Sequence, residues 1–405
     1  MSVNDSRAPV RSTRLVKRIP SSVIAGGIAL LLTWFVSHGR STPYNNYVLL
    51  ADALLHGHAW ITWPGSYIDA LPYNGQHYVI EAPLPAILLM PFVATFGTAT
   101  NQTLLAIVLA AVAIGAAWAL GERIGVSPAR NAWICAFLLA GTDLLWCAML
   151  GDVWFIAHVA AVCFTMLALA ELTGKRRAWL VALWAACAVE SRFSMLLAVP
   201  VYAYLLATDS DRPFVLAPQW RRSVGTFALT LAPIALLWVW YNVARWGVWY
   251  DIGYTEWYHQ DQVGMPYGSP FKPVYFTYQL WSFFAQRPTW LGSFPWLRPE
   301  MSGVALTWTS PALILAFLAR TPVRWVIALW VAAFVTAAPN FVYYVNGFAQ
   351  FGMRHALDFE PFLVGLMFIA ARKSIPKWGY ALIAYSIAVG LWGVWYWNAF
   401  VRGTS

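Results

Sequence analysis

The sequence contains few charged residues and few cysteines. Only 11% of its 405 residues are Asp, Glu, Lys or Arg, whereas a soluble domain carries about 25%. This scarcity excludes an ordinary soluble globular domain. The cysteines all lie inside apolar segments without the spacing of a metal site, so we expect small core residues rather than disulfides or ligands. They are Cys135, Cys147, Cys163 and Cys187.

Glycine-rich phosphate loops, internal repeats and low-complexity segments are also lacking, and nothing beyond a basic N-terminal tail suggests nucleic-acid binding. What the sequence has is apolar length: 60% of its residues are hydrophobic, and its mean hydropathy is +0.58. A membrane-spanning helix needs about 20 apolar residues. Segments of this length, or nearly so, lie at 21–38, 101–121, 131–150, 153–172, 223–243, 302–319, 323–339, 357–371 and 378–399.

The distribution of basic residues predicts the orientation. Five basic residues precede the first apolar run, which places a tail at 1–20 in the cytoplasm by the positive-inside rule. The run 21–38 has no small-residue cleavage site after it, so we expect an uncleaved anchor. We predict an all-α, multi-pass protein of the plasma (inner) membrane, with a single transmembrane domain at 21–401. The basic residues of the tail are Arg7, Arg11, Arg14, Lys17 and Arg18.

Two long loops are predicted on the outer side, at 39–100 and 244–301. The stretch 83–97 inside the first loop is apolar, but its 15 residues span only about 22 Å as a helix, against a hydrocarbon core of about 30 Å. We therefore predict a helix lying in the outer interface. The second loop is rich in Trp, Tyr and Pro, which is typical of a membrane interface and also suits sugar stacking.

The segment 178–207 is apolar except for Glu190, Ser191 and Arg192 near its middle, and it has basic residues on both flanks. We predict two short helices that enter and leave the membrane, with a recessed charged turn between them. This threading gives about 11 transmembrane helices. It leaves few of the 17 acidic residues inside, so we expect any chemistry to face outward. The inner acids are Asp5, Glu122, Glu171, Asp209 and Asp211.

The order of the local motifs resembles that of the GT-C glycosyltransferases, in particular the protein-mannosyltransferase and aminoarabinose-transferase group. "NNYVLLADALLHG" is similar to the first outer loop of that family, and "YNGQHYVIEAPLPAILLMPF" is similar to its proline-led interfacial helix. "GDVWFIAHVAAVCF" resembles the second outer loop. "AVESRFSMLLAVP" and "FAQFGMRHALDFEPFL" resemble later family segments.

The resemblance implies a membrane glycosyltransferase with its active site on the outer face. It implies transfer of a hexose or pentose from a polyprenyl-phosphate donor to a lipid, glycan or protein hydroxyl, without a metal or another cofactor. The alternative from the sequence is a carrier or flippase for an anionic lipid-linked molecule. A carrier would need no catalytic base, and carriers often contain inverted or parallel repeats, which this sequence lacks.

In the first outer loop, Asp52 is the candidate catalytic base, because ionised groups near the membrane are rare and usually functional. The alternative is an N-cap or a surface salt bridge. His56 lies one helical turn later and is assigned to orienting Asp52 or binding substrate, or with His58 or His77 to a divalent metal. Glu81, in the proline-led motif, is assigned to substrate binding.

Further along the chain, Asp152 is a second candidate catalytic carboxylate or alternatively an N-cap, and Asp143 competes for its role. Arg192 is assigned to the carrier phosphate, since an Arg fork binds phosphate oxygens in pairs; the alternative is an ion pair with Glu190. Arg354 and His355 are assigned to phosphate or pyranose contacts. The residues Asp52, Asp152, Arg192 and Arg354 are expected to converge in one cleft. Asp358 and Glu360 are expected as first-turn acids that favour the helix dipole.

Overall fold

A computed structural model describes residues 19–208, 213–260 and 267–402. The predicted tail therefore lies outside the described residues except for positions 19 and 20. Within the described ranges the chain is mostly helical, with two short antiparallel hairpins. The helices are α1 Ser21–Ser37, α2 Asn46–Leu55, α3 Leu84–Phe96, α4 Gln102–Arg123, α5 Pro128–Ala140, α6 Leu144–Leu150, α7 Val153–Leu172, α8 Ala178–Val189, α9 Val199–Ala207, α10 Trp220–Trp246, α11 Gly253–Gln260, α12 Phe276–Phe284, α13 Leu306–Thr309, α14 Val323–Phe341, α15 Glu360–Ala371 and α16 Lys377–Tyr396. The strands are β1 Leu71–Tyr73, β2 Gln76–Tyr78, β3 Thr289–Trp290 and β4 Leu297–Arg298.

Several of these helices are long and apolar enough to cross a membrane. In the described part of the chain there are five, namely α4, α7, α10, α14 and the continuous run Lys377–Val401 that begins with α16. The pair α5 and α6, bent by 50° at a short break, makes a sixth if it forms one span. The chain is thus a multi-pass membrane protein. The predicted count of about eleven includes shorter apolar helices such as α1 and α8 and stays a prediction.

The centre of the bundle is α7. Burial within the protein covers 89% of its most apolar stretch, against 6% for α10, so α7 is a core helix and α10 lies at the periphery. Helix α4 packs against α7 and also against α1. The backbones of α1 and α4 approach closely, because a Cβ at Gly26 would lie 3.0 Å from the Ala111 carbonyl oxygen. Small residues commonly permit such contacts between membrane helices.

The first predicted outer loop folds into α2, the hairpin β1–β2 and α3. The hairpin turns at Asn74 and Gly75, both with positive φ (49° and 77°), which is the type I′ geometry that Asn-Gly favours. Glu81 follows three residues after β2. The helix expected at 83–97 is α3, with Pro85 in its first turn, where a missing N–H costs no hydrogen bond. Its placement in the membrane interface stays a prediction.

The segment 178–207 forms two short helical pieces around a turn, as the sequence predicts. Helix α8 ends at Val189, and Glu190–Arg192 form the turn. A 3₁₀ helix at Phe193–Ala198 then leads into α9. The backbone N–H of Leu84, at the start of α3, donates to the Glu190 carbonyl oxygen at 2.9 Å. This bond joins the first outer loop to the turn and brings Glu81 towards Arg192.

Two late segments differ from the sequence prediction. The stretch 302–319 contains the four-residue helix α13 and a 3₁₀ helix at Pro311–Leu318 instead of one regular span. Pro311 has no N–H to continue the α-helical ladder. The segment predicted at 357–371 begins with a 3₁₀ helix at Arg354–Asp358, and α15 starts only at Glu360. Asp358 therefore lies before the helix, where its side chain turns to the protein centre.

Candidate active site

One buried carboxylate organises the centre of the molecule. Asp358 is fully buried and binds Arg192 twice, with Nε 3.1 Å from Oδ1 and Nη2 3.0 Å from Oδ2. Ser194 Oγ and Asn340 Nδ2 donate to Oδ2 at 2.8 and 3.1 Å. His158 Nδ1 lies 3.0 Å from Oδ1 and donates in the tautomer protonated there. A buried charge is tolerated when it is paired and fully hydrogen-bonded, and this carboxylate meets both conditions.

The network settles which acid Arg192 pairs with. Among the described residues its ion pair is with Asp358, on the 3₁₀ helix before α15, and not with the sequence neighbour Glu190. The expectation that Asp358 serves only the helix dipole is therefore wrong. The side chain of Arg192 retains 16% exposure, and the residue lines a cleft. Asp358 thus holds the Arg192 guanidinium on its buried side, while the exposed part of the guanidinium faces the cleft.

Arg354 differs from Arg192 in its partners. It is 9% exposed, and its Nη1 donates to Gln350 Oε1 at 2.8 Å. Its guanidinium also lies 5.4 Å from the ring centre of Phe155. In the described ranges no carboxylate oxygen lies within 4.0 Å of its nitrogens. A buried cation without an ion-pair partner is costly, so Arg354 is suited to bind an anion.

His355 connects the two arginines. It follows Arg354 directly, and its Nδ1 lies 3.3 Å from Arg192 Nη2. Its ring meets that of His158 edge-on, with 5.2 Å between centroids. The two sequence candidates Arg354 and His355 are adjacent in the chain, and His355 contacts Arg192. This brings two guanidinium groups to the same part of the molecule.

Glu81 lies at the cleft and keeps one free oxygen. Its residue exposure is 8%, and Oε2 has no hydrogen-bond partner in the described part of the chain. Burial raises the pKa of Glu81 to about 7; nearby Asp69 adds to the shift, and Arg192 and Arg354 oppose it. A carboxyl group with a pKa near the working pH can accept a proton efficiently in a reaction.

The cleft has one charged and one aromatic wall. The cleft is narrow and open at its mouth, and its cavity volume is about 30 Å³. Arg245 and Asp251 form an ion pair of 2.8 Å on one side, while Trp238 of α10 stacks on Phe193 with 5.7 Å between ring centroids. Its lining residues come from the segment between β2 and α3, from α7, from the end of α8 and the turn after it, from α10, and from the segment that follows α10: Ile80, Glu81, Ala82, Pro83, Ala157, Val189, Ser191, Arg192, Phe193, Trp238, Arg245, Asp251 and Tyr254.

Among the described residues, Asp52 makes no direct contact with Arg192, Asp358 or Glu81. Its side chain is 42% exposed, and its recorded partner is His56, with 3.7 Å between Oδ1 and Nδ1. His56 is itself 68% exposed at its side chain. Helix α2 buries the face that carries Tyr47 and Ala51, and Asp52 lies off that face. Within the described residues Asp52 therefore has no direct contact with Arg192, and the surface contact that was its alternative is present.

The two other sequence-predicted acids occupy separate positions. Asp152 precedes α7 at its N-cap position, but its carboxylate accepts from the Thr42 hydroxyl instead of capping the backbone. It does not line the Glu81 cleft. Asp143 is buried between α5 and α6, next to the backbone of Gly352, which has no Cβ to clash with the carboxylate. Asp143 thus lies beside the segment that leads to Arg354.

The loop histidines are engaged separately. His56 Nδ1 lies 2.8 Å from the Asp52 carbonyl oxygen, and His58 Nδ1 lies 2.7 Å from that of Trp60. His77 stacks on Trp63 with ring centroids 4.7 Å apart. Within residues 19–208, 213–260 and 267–402 there is no cluster of three or more His, Cys, Asp or Glu that can hold a metal ion.

Comparison with known proteins identifies the fold. No family model matches the chain, and no curated protein matches it. Among solved structures it is similar to the crystal structure of ArnT from Cupriavidus metallidurans bound to undecaprenyl phosphate, with a TM-score of 0.50 and 16% sequence identity. The similarity covers 86% of this chain and 60% of that chain. The chain therefore spans three fifths of the length of the ArnT structure, and its fold is similar to the fold of that structure over most of its own length.

Proposed function

We propose that the protein is a membrane glycosyltransferase of GT-C type, which transfers a sugar from a polyprenyl-phosphate donor to a hydroxyl of a lipid, glycan or protein on the outer membrane face. The observation that carries this proposal is the Glu81 carboxylate oxygen Oε2, which has no hydrogen-bond partner among the described residues and lies in a cleft shared with Arg192. The GT-C-like fold and the undecaprenyl phosphate bound to the similar ArnT structure support the donor class.

The donor phosphate is bound by Arg354 and Arg192. Arg354, which does not itself line the cleft, supplies a buried positive charge that has no ion-pair partner among the described residues. Arg192 supplies the N–H groups that Asp358 leaves free. Guanidinium groups bind phosphate oxygens through paired, charge-assisted hydrogen bonds. Because α10 contributes Trp238 to the cleft and is the least buried of the long helices, the polyprenyl chain extends past α10 into the lipid.

Glu81 is the catalytic base in place of Asp52. The acceptor hydroxyl gives its proton to Glu81 Oε2 as its oxygen attacks the anomeric carbon of the sugar. The bond from that carbon to the donor phosphate oxygen breaks, and polyprenyl phosphate leaves with the electron pair. The configuration at the anomeric carbon inverts. The leaving phosphate is a weak base that the arginines stabilise, so the step requires no general acid.

The base and the phosphate site contribute differently to the rate. A well-placed base accelerates proton transfer by about 10²–10⁴-fold, and positioning of donor and acceptor supplies the larger part. The aromatic groups on the cleft wall, including Tyr254, offer flat apolar faces for a sugar. Glu81 and Arg192 therefore have separable roles, which variants can distinguish.

The test compares Glu81→Gln with Asp52→Asn in purified protein supplied with a panel of polyprenyl-phosphate sugars. We expect Glu81→Gln to lower kcat at least 100-fold while donor binding stays within about threefold. Asp52→Asn is the matched control and keeps its rate, because its side chain lies at the surface. Full activity in Glu81→Gln, or loss of activity in Asp52→Asn alone, contradicts the assignment. Movement of intact donor across vesicles without sugar transfer favours the carrier instead.

A further inference from the structure

A second cleft lies towards the other end of α7. Ala157 lines the first cleft and Leu169 the second, and the 12 residues from 157 to 169 correspond to about 18 Å along a helix. The cavity volume of the second cleft is about 190 Å³. It is formed where α4, α7 and α15 end and α14 begins, so it is separate from the candidate active site.

The floor of this cleft is apolar. Leu120, Leu329 and Ile369 form it, together with the backbone of α15 at Gly365. A Cβ at Gly365 would lie 3.0 Å from Leu329 Cδ1, so the glycine lets the α15 backbone approach Leu329 closely at the floor. Trp325 at the side is typical of the depth where hydrocarbon meets headgroups. A groove with this apolar lining suits an acyl chain chemically.

The mouth of the cleft carries positive charge. Arg123 is the last residue of α4, and Arg372 directly follows α15. The Nη1 N–H of Arg123 donates to the Ala170 carbonyl oxygen. The remaining N–H groups of the guanidinium can donate to a ligand. The nearby acid Glu171 is bound by Arg177, with Nη2 2.8 Å from Oε2, so its charge is already matched.

We propose that this cleft binds one anionic phospholipid, with an acyl chain along the floor and the phosphate between Arg123 and Arg372. Charge complementarity and the apolar floor together favour a lipid over a free anion, since a free phosphate would leave the groove unfilled. Basic pockets between membrane helices bind anionic headgroups in this way. The site is independent of the proposed transfer reaction and of the groups that carry it.

Native mass spectrometry of the full-length protein in detergent, titrated with phosphatidylglycerol, tests the proposal. We expect one saturable lipid adduct for phosphatidylglycerol and an affinity for phosphatidylcholine at least about tenfold weaker, a difference of about 1.4 kcal/mol. Arg372→Gln should weaken phosphatidylglycerol binding about tenfold. The control is Lys373→Gln, which removes an equal charge from the next residue, outside the cleft, and should change the affinity less than twofold.

The other outcomes overturn the site. Equal losses in Arg372→Gln and Lys373→Gln show that only general surface charge attracts the lipid. Equal affinity for both lipids, or displacement of phosphatidylglycerol by inorganic phosphate at the same concentration, shows an anion or detergent effect without a built groove. Because Arg372 is exposed, we expect the variant to fold, and an unchanged unfolding midpoint verifies this. If Arg372→Gln lowers the unfolding midpoint, the lipid-binding measurement is made on Arg123→Gln instead and judged by the same criteria.

Discussion

The pair Arg192–Asp358 gives the sharpest test of how the centre is held together. Asp358→Asn keeps the shape of the side chain but leaves the Arg192 guanidinium without its carboxylate. Removing one partner of a buried ion pair costs about 3–5 kcal/mol of unfolding free energy. Arg192→Gln leaves the carboxylate unpaired and should cost a similar amount. The double variant lacks both charges, so we expect it to be destabilised by about 3 kcal/mol less than the sum of the single variants.

The assay is reversible unfolding of the purified protein in mixed micelles for all four members of the cycle. The exposed pair Asp52–His56, 3.7 Å apart, provides a matched control cycle through Asp52→Asn and His56→Gln. Its coupling should lie below about 1 kcal/mol, as for other surface ion pairs. If the Arg192–Asp358 cycle is additive to within about 0.5 kcal/mol, the carboxylate does not position the arginine, and the argument built on the network fails.

Three further predictions concern other residues. The kcat/KM for transfer should rise with pH through about 7 in the wild type, because Glu81 accepts a proton only when ionised and its pKa is raised to about 7; a flat profile would contradict its role as base. Arg354→Lys keeps the charge but loses the fork and should raise the KM for the donor about tenfold with less effect on kcat; equal KM values would place the phosphate elsewhere. Gly390→Ala should destabilise the protein by about 1–3 kcal/mol in the same unfolding assay, because its Cβ would clash with the Ala140 carbonyl oxygen, whereas Gly27→Ala meets open space and should not.

The sequence predicts the helical class and the broad arrangement because these depend on local composition. Apolar runs of about 20 residues with basic flanks identify membrane helices without tertiary information. The recessed turn at Glu190–Arg192 follows from the same reasoning, since two basic flanks on one side require an even number of crossings. The fold is then consistent with the family resemblance that the motif order indicates.

Local breaks are harder to predict. The run 302–319 is long and apolar enough for a span, but its structure is a short helix and a 3₁₀ segment. Hydropathy counts apolar residues and ignores backbone geometry. Pro311 was the available signal, because a proline inside a helix removes a hydrogen bond. The start of α15 shifts to Glu360 with Pro361 in its first turn, a position that proline favours.

The candidate site could be predicted only in part. Arg192, Arg354 and His355 are selected from the sequence because each is a polar residue in an apolar segment, where charge is costly, and their role in binding substrate stays a prediction. Asp358 escapes recognition because its partner Arg192 is 166 residues away and its sequence position fits a helix start equally well. Asp52 is overestimated because sequence alone cannot show which face of α2 is buried. Glu81 is recognised as a site residue, but its burial, which suits it to the role of base, is visible only in the folded chain.

The backbone bond from Leu84 to Glu190 has a mechanical consequence. It pins the segment three residues beyond Glu81 to the residue two positions before Arg192. We therefore expect the two segments to move together. The distance between the proposed proton acceptor, Glu81, and the proposed phosphate-binding residue, Arg192, should then change little when a substrate binds. Inserting one residue at Ala82–Pro83 would separate the position of Glu81 from that of Arg192. The length of this short stretch therefore sets the spacing between the two side chains.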